Sequence, residues 1–339
     1  MAHAAKAAGA RRSLSQSKLA RGLGRRHPGA TRSGVQTLVP AQGPSSSATA
    51  AEVVIAYLGA EVSELTGHDV AVRLDLPDSI HQMRVATRRL RSAVRTFDRL
   101  FADGAVQPVA RELAWLADEL GAARDAEVLR ARLASQVSAE REQHRTTAAG
   151  ARAVDREMGR TQRETFAHVV SALDSERYRL LVASLDALVA TPPFTERAAR
   201  PARAELLRPV RKAARNVDGA LTAADEHPHG AERAAALHEA RKKAKRARYA
   251  AEAVAPAFGR HAEAFATGME SLQDLLGEHH DSVVLQHRLE DLAREAESAR
   301  AFTLGRLHAA QSTVQAELEA SIRSAAAAAA KKSLRAWLA

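Results

Sequence analysis

The segment HQMRVATRRLRS, residues 81–92, recurs 157 positions later as HEARKKAKRARY, residues 238–249. The aligned pairs are His81/His238, Arg84/Arg241, Arg88/Lys245, Arg89/Arg246 and Arg91/Arg248. A second pair of segments, WLADELGAARDAEVL from Trp115 and SLQDLLGEHHDSVVL from Ser271, is offset by 156 positions and shares seven identities. Two similar segments in the same order and at nearly the same spacing indicate a duplicated module.

The sequence around these segments is typical of α-helices. From residue 49 onward Ala, Leu, Arg and Glu dominate, and apolar residues such as Val54, Leu58, Val62 and Leu65 recur at spacings of three and four. Alternating strand patterns are hard to find. We therefore predict an all-α protein, in which two pseudo-twofold-related four-helix bundles form one duplicated helical domain with a basic central groove or pore.

Proline, glycine and charge divide the chain further. Thr191-Pro192-Pro193 places the boundary between an N-terminal helical half, residues 48–190, and a C-terminal helical half, residues 191–339. Residues 1–47 contain eight basic residues and no Asp or Glu. We predict that they form a disordered basic tail, with an organelle transit peptide as the alternative.

The net charge of +10 is concentrated in that tail, because residues 48–339 carry 42 basic and 40 acidic side chains. A basic site in the helical part must therefore arise from clustering. At 100° per residue, positions 81, 84, 88, 91 and 95 fall within a stripe about 80° wide, and the second repeat reproduces it. A third basic run follows Arg200. The predicted anion contacts are His81, Arg84, Arg88, Arg89, Arg91, Arg95, Arg208, Arg211, Lys212, Arg215, His238, Arg241, Lys242, Lys245, Arg246 and Arg248.

Such stripes are unfavourable without a counter-charge. Each like-charged pair three or four residues apart costs roughly 0.2 to 0.5 kcal/mol on an exposed helix. A bound anion would relieve this repulsion, and guanidinium groups suit phosphate oxygens because they donate in a planar fork. Because two 15-residue helices present about 20 Å of charged face, a linear polyanion fits better than one phosphate. In the alternative, acids on neighbouring helices, such as Asp118, Asp125, Asp274 and Asp281, pair with the arginines.

The two repeated segments resemble the signatures of the CHAD family of conserved-histidine helical domains. HQMRVATRRLRS from His81 resembles the first signature, LHEARKKAKRARY from Leu237 the second, and LGAARD from Leu120 is echoed by LGEHHD from Leu276. The similarity covers about residues 49–335. The resemblance implies two pseudo-symmetric helical bundles whose basic groove or pore binds inorganic polyphosphate.

Several function classes find no support in the sequence. Cysteine is absent, which excludes disulfides and thiolate chemistry, and no GxxxxGK[ST], HExxH, GxSxG or ExExK motif occurs. We expect no cofactor, no metal and no catalytic activity. A phosphate-processing enzyme and a histidine metal site are minor alternatives.

Nucleic acid is the main rival ligand, since a groove for phosphates need not distinguish what they are attached to. Single-strand binders usually stack bases on aromatic side chains, yet only Phe97 and Tyr249 occur beside the stripes, and both are expected in the core. No apolar run of 18 or more residues exists, so we expect a cytoplasmic protein without a membrane span, with polyphosphate or storage granules as a possible location. The apolar residues Leu334, Trp337 and Leu338 are expected to pack on the bundle, with membrane or granule attachment as the alternative.

Overall fold

The computed structural model describes residues 48–142, 148–294 and 298–339. The tail predicted over residues 1–47 lies outside this described part, as does the choice between a disordered tail and a transit peptide. No helix among the described residues is both long enough and apolar enough to cross a bilayer.

The described chain is almost entirely helical. The first five helices are α1 (Ala50–Arg73), α2 (Ser79–Thr96), α3 (Gln107–Glu142), α4 (Ala148–Asp174) and α5 (Glu176–Ala190). The next five are α6 (Ala202–Asp225), α7 (Gly230–Phe258), α8 (Arg260–Arg294), α9 (Ser298–Ala329) and α10 (Lys332–Arg335). Short 3₁₀ helices span Asp98–Leu100, Glu196–Ala199 and Ala336–Leu338. Extended pairing in this part is limited to two isolated bridges, so the all-α prediction is confirmed.

Local signals account for several helix ends. Thr49 and Glu52 form a capping box at α1, in which Glu52 N–H donates to Thr49 Oγ1 and Thr49 N–H donates to Glu52 Oε2. The Ser175 hydroxyl caps α5 by accepting from Tyr178 N–H. Gly259 has a φ of +62° and separates α7 from α8, a backbone conformation that favours glycine.

The segment at Thr191-Pro192-Pro193 is a break in the helical chain. Helix α5 ends at Ala190, and the next residues bond to the turn after α2: Ala102 N–H donates to Pro193 O at 2.7 Å and Thr195 N–H to Leu100 O at 2.8 Å. All the described residues belong to one compact unit. The division into halves at this break stays a prediction.

Helix packing follows the same order in both parts of the chain. Helices α1 to α4 pack in sequence, each against the next, and α6 to α9 repeat this order. Contacts of α7 with α1 and α2, and of α6 with α1, join the two sets. This repeated order agrees with the duplication seen in the sequence, and the pseudo-twofold relation itself stays a prediction.

Helices α2 and α7 have opposite apolar and cationic faces. On α2, Met83, Leu90 and Val94 are fully buried, while the arginines lie on the other side. On α7 the buried side is made largely of alanine: Ala240, Ala244, Ala247 and Ala251 are each 0% exposed. Because alanine is small, the backbone of α7 lies close to its neighbouring helices. The aliphatic stems of the basic side chains on α7 are therefore partly buried.

The C-terminal apolar residues pack on the bundle, as expected. The Trp337 ring lies 5.2 Å from the Phe258 ring and 6.0 Å from the Phe265 ring, centroid to centroid. Leu338 is 6% exposed, and Leu334 contacts Gly268. These side chains complete the core where α7 ends and α8 begins.

Candidate anion-binding groove

A cationic groove of about 670 Å³ is lined by α2, α6 and α7 and by the 3₁₀ turns Asp98–Leu100 and Glu196–Ala199. Eight of the predicted residues line it: Arg88, Arg91, Arg95, Arg208, Lys212, Lys242, Lys245 and Arg246. It therefore joins basic side chains from both copies of the repeat and from the separate basic run on α6.

Four basic side chains from the two repeats form a central cluster: Arg84 and Arg88 on α2, and Arg241 and Lys245 on α7. Arg88 and Lys245 line the groove, whereas Arg84 and Arg241 are not among its lining residues. Burial, and next Arg88, lower the pKa of Arg84. Burial also lowers the pKa of Arg241, with Asp281 opposing this effect and Arg88 adding to it. The nearby carboxylates thus offset only part of the positive charge of the central cluster.

The arginines of the central cluster have donor capacity left over. Within the described part of the chain, the buried Nε atoms of Arg84, Arg88 and Arg241 have no hydrogen-bond partner. Buried donors in proteins normally have one. Asp125 lies 3.8 Å from Arg84 Nη2, and Arg88 Nη2 donates to the Tyr249 hydroxyl at 3.2 Å. The unpartnered donors suit an anion supplied from outside.

Two glycines lie close to the side chains of the central arginines. A methyl group added at Gly121 on α3 would lie 3.8 Å from Arg84 Nε, and one added at Gly277 on α8 would lie 3.4 Å from Arg241 Nε. These glycines are equivalent positions of the second repeated segment, and the arginines are equivalent positions of the first. The same glycine–arginine contact therefore joins α2 to α3 in the first repeat and α7 to α8 in the second. The glycines of the segments LGAARD and LGEHHD thus have an equivalent structural position.

Lys245 is the most perturbed basic side chain of the cluster. It is partly buried on α7 and lines the groove. Burial, followed by Arg88, Arg241 and Arg84, lowers its pKa to about 6. At neutral pH most of its amine is therefore unprotonated until a negative charge comes near.

The outer part of the groove is cationic and more exposed. Arg95, Arg208, Lys212 and Arg246 are exposed, and Arg91 is partly buried. None of these five side chains forms an ion pair with a carboxylate in the described residues. Burial, and next Arg95 and Arg91, lower the pKa of Arg246. Basic side chains of the first and second repeats therefore repel each other in the groove.

Two arginines among the predicted contacts, Arg89 and Arg248, are each paired with two carboxylates of the fold. Arg89 lies 3.2 Å from Glu252 and 3.5 Å from Glu61, and Arg248 lies 2.6 Å from Glu252 and 2.8 Å from Glu270. Burial disfavours both charged guanidinium groups, but the carboxylates outweigh it and raise both pKa values. The alternative of pairing with acids of the fold therefore holds for these two arginines through glutamates, and for Arg84 through Asp125 at 3.8 Å, one of the aspartates considered from the sequence.

Lys242 has an internal partner, and the remaining predicted contacts lie outside the lining of the groove. Lys242 lines the groove and pairs with Glu239, while Arg211 donates to the Leu338 carbonyl. Arg215 is exposed on α6 outside the lining. His238 stacks on His280 at 4.0 Å between ring centroids. Burial, and next Arg124, lower the pKa of His81, and burial, and next Lys242, lower that of His238.

Sequence reasoning missed three basic residues that line the groove, namely Arg99, Arg197 and Lys243. Lys243 continues the basic run of the second repeat, so charge density alone would have included it. Arg99 and Arg197 lie in 3₁₀ turns, outside any helical stripe, and helical spacing gives no signal for them. Arg197 also bonds to Glu205, which lines the same groove.

The aromatic residues near the stripes are in the core, as expected. Phe97 is 2% exposed and Tyr249 is 4% exposed, so neither offers a free ring face. In the described residues no group of three or more His, Cys, Asp or Glu side chains is placed to hold a metal ion. The groove is thus a cationic surface without stacking platforms.

Comparison with known proteins places this geometry in a family. Two uncharacterized proteins from different strains of Mycobacterium tuberculosis are each 34% identical to the chain over 316 residues, which is 91% of this chain and 57% of theirs. The chain thus spans little more than half the length of these relatives. The crystal structure of the CHAD domain from the plant Ricinus communis matches with a TM-score of 0.66 and 28% identity, covering 86% of this chain and 98% of that one.

A second solved structure supports the fold alone. PptA from Streptomyces chartreusis matches with a TM-score of 0.67 and 22% identity, covering 82% of this chain and 99% of that one. The sequence profile of the CHAD domain matches residues 56–290, which include both repeated segments and the whole central cluster. Because that match covers more than half of the sequence, the chain belongs to the CHAD domain family.

Proposed function

We propose that the protein is a non-catalytic binding module for inorganic polyphosphate, held in the cationic groove. The observation that carries this proposal is the set of buried donors of Arg84, Arg88 and Arg241 that have no partner in the described residues. Repulsion among these side chains is relieved when phosphate oxygens lie between them. Association with polyphosphate-rich granules in the cytoplasm would follow from such binding.

The distribution of charge favours a polymer over a single phosphate. The basic side chains continue from the central cluster along the outer groove, on α2, α6 and α7. One phosphate would engage only a few of them. A chain with a negative charge on every phosphate would engage the whole row and release counterions along its length.

The absence of exposed aromatic rings beside the described stripes favours polyphosphate over nucleic acid. Base stacking contributes about 1 to 3 kcal/mol per base to single-strand binding. Phe97 and Tyr249 are too buried to contribute it. A nucleic acid would therefore bind here through its phosphates alone, at a lower charge density than polyphosphate has.

The acids that line the groove favour binding over catalysis. They are Asp98 and Glu205. Glu205 is held by Arg197 at 2.9 Å and Arg200 at 3.1 Å; although burial opposes it, the hydrogen bonds from these two arginines lower its pKa. A carboxylate engaged in this way is poorly suited to act as a general acid. Incubation with polyphosphate or ATP and magnesium should therefore release no phosphate.

Competition between polyphosphate and DNA tests the choice of ligand. Labelled long-chain polyphosphate is bound to the full chain, and unlabelled polyphosphate or DNA is added at equal phosphate concentration over a range of salt. We expect polyphosphate to compete more strongly at every salt concentration. Stronger competition by DNA would replace the proposal with a nucleic-acid-binding function.

A matched pair of variants tests the site. Changing Arg84, Arg88, Arg241 and Lys245 together to Ala should weaken binding by about 100-fold and reduce the slope of log K against log salt by about 3. The control removes four exposed cations outside the groove, Arg179, Arg294, Lys331 and Lys332. Circular dichroism should show both variants folded. Equal losses in the two variants would mean that binding follows net charge and not the groove.

A further inference from the structure

Three features describe the surroundings of Lys245. Its side chain opens into the cationic groove. It forms no ion pair with a carboxylate among the described residues. The charged groups with the largest effect on it are guanidiniums, Arg84 and Arg88 of α2 and Arg241 and Arg248 of α7.

The surroundings of Lys245 repel protons and attract anions. On α8, His280 also faces this region, and burial, followed by His238 and Arg241, lowers its pKa to about 4. Two acids of that helix, Asp274 and Asp281, interact with Arg241. The Lys245 amine is thus uncharged at neutral pH and sits beside positive groups able to hold a phosphate.

We propose that Lys245 Nζ is an acylation site for acyl phosphates, whose phosphate group is held by Arg88 and Arg241 while the amine attacks the carbonyl carbon. A C–N bond forms and the C–O bond to phosphate breaks. The proton lost by nitrogen leaves with the phosphate, so the products are N-acyl-lysine and hydrogen phosphate. The acyl phosphate is the only co-reactant.

The preference for Lys245 is estimated from its free amine. At pH 7.5 a lysine with a pKa of about 6 is almost fully unprotonated, against about one part in a thousand for an ordinary lysine. Lower basicity also reduces nucleophilicity. A slope of about 0.4 to 0.5, as found for thiols, corresponds here to a loss of about 100-fold. The net preference is about tenfold, before any contribution from the bound phosphate.

Acylation of Lys245 would act on the ligand site of the protein. An acylated amine cannot take up a proton when an anion arrives, so the central cluster loses one of its four possible charges. The expected consequence, weaker polyphosphate binding, rests on the proposed function. The acylation site itself does not, because it requires only the amine and its arginine neighbours.

Peptide mapping by mass spectrometry tests the proposal on the full chain. The protein is treated with acetyl phosphate at pH 7.5, and acetylation is followed at each lysine over time. We expect Lys245 to react more than about tenfold faster than the exposed Lys331 and Lys332, because the bound phosphate adds to the preference of the free amine, and the intact Lys245→Arg variant to lose this first acetyl group. Acetylation of Lys245 no faster than that of Lys331 and Lys332 would overturn the proposal.

Two further arms separate the parts of the mechanism. With p-nitrophenyl acetate, which carries no phosphate, the preference for Lys245 over Lys332 should shrink several-fold. An equal preference with both donors would overturn the role given to Arg88 and Arg241. Long-chain polyphosphate should slow acetylation at Lys245 and leave Lys332 unaffected; failure of this protection, with Lys245 still preferred, would count against the proposed function and not against the acylation site.

Discussion

Polyphosphate binding should weaken as pH rises from 7.5 to 9, and Lys245 is the reason. In the free protein, burial and then Arg88, Arg241 and Arg84 hold its pKa at about 6. When phosphate oxygens occupy the central cluster, their charge returns this pKa toward its ordinary value of 10.5. The complex therefore holds a proton that the free protein lacks, and affinity must fall as pH rises.

The size of the effect follows from these two values. Between pH 7.5 and 9 the free amine stays unprotonated, while the amine of the complex stays protonated. The dissociation constant should then rise about tenfold per pH unit, or about 30-fold over this range, which is about 2 kcal/mol. His280, with a pKa of about 4, is already neutral throughout and adds little.

Isothermal titration calorimetry measures both the affinity and the proton. Titrations at constant ionic strength, in two buffers of different ionisation enthalpy, should show uptake of about one proton per site at pH 7.5. The matched control is Lys245→Met, which keeps the side-chain volume and removes the titrating amine. Its affinity should be lower at pH 7.5 and nearly constant up to pH 9.

Comparing the pH dependence of the native protein with that of Lys245→Met shows whether Lys245 takes up the proton. Long-chain polyphosphate titrates only at its ends in this range, and any such contribution is common to both titrations. If the native protein and Lys245→Met show the same dependence on pH, Lys245 does not take up a proton on binding and the electrostatic reasoning is refuted.

Three other outcomes are expected. Burial raises the pKa of Glu61 to about 7 even beside Arg89, so the folded protein retains a proton that the unfolded chain releases near pH 4.5. The protein should therefore lose stability as pH rises from 5 to 7. In thermal melts Glu61→Gln should flatten this pH dependence and add about 1 to 3 kcal/mol of stability at pH 8, whereas destabilisation would contradict the argument. Gly277→Leu should displace Arg241 and weaken polyphosphate binding about tenfold, while Gly219→Leu, which points into open space, should leave binding unchanged. Long-chain polyphosphate should raise the melting temperature well above the shift given by the same amount of orthophosphate, and equal shifts would indicate isolated single-phosphate pockets.

The helical class and much of the basic lining were predictable because both depend on short-range periodicity. A period of 3.6 residues places Arg88, Arg91 and Arg95 on one side of α2 and the apolar side chains on the other. The duplication then identified α7 as the second helix of this kind. No long-range information was needed for either inference.

The internal charge pairing was not predictable, because it depends on which helices pack together. Glu61 reaches Arg89 from α1, and Glu270 reaches Arg248 from α8. Glu252 of the second repeat contacts Arg89 of the first, and these residues are far apart in sequence. The engagement of Arg211 by the Leu338 carbonyl likewise depends on where the C-terminal helices dock.

The buried alanines of α7 have a consequence for ligand size. Ala240, Ala244 and Ala247 are each 0% exposed, so the separation of α7 from neighbouring helices is set by methyl groups against backbone. Because well-packed contacts of this kind have little free space, we expect them to fix how closely α7 and its basic side chains approach the neighbouring helices. A thin, unbranched chain can approach both sides of the groove at once, whereas a bulkier polyanion would touch one side and leave the other solvated. Larger residues at these positions would move α7 away from its neighbours, so the alanines of α7 limit the width of the ligand that can contact basic side chains on both sides of the groove.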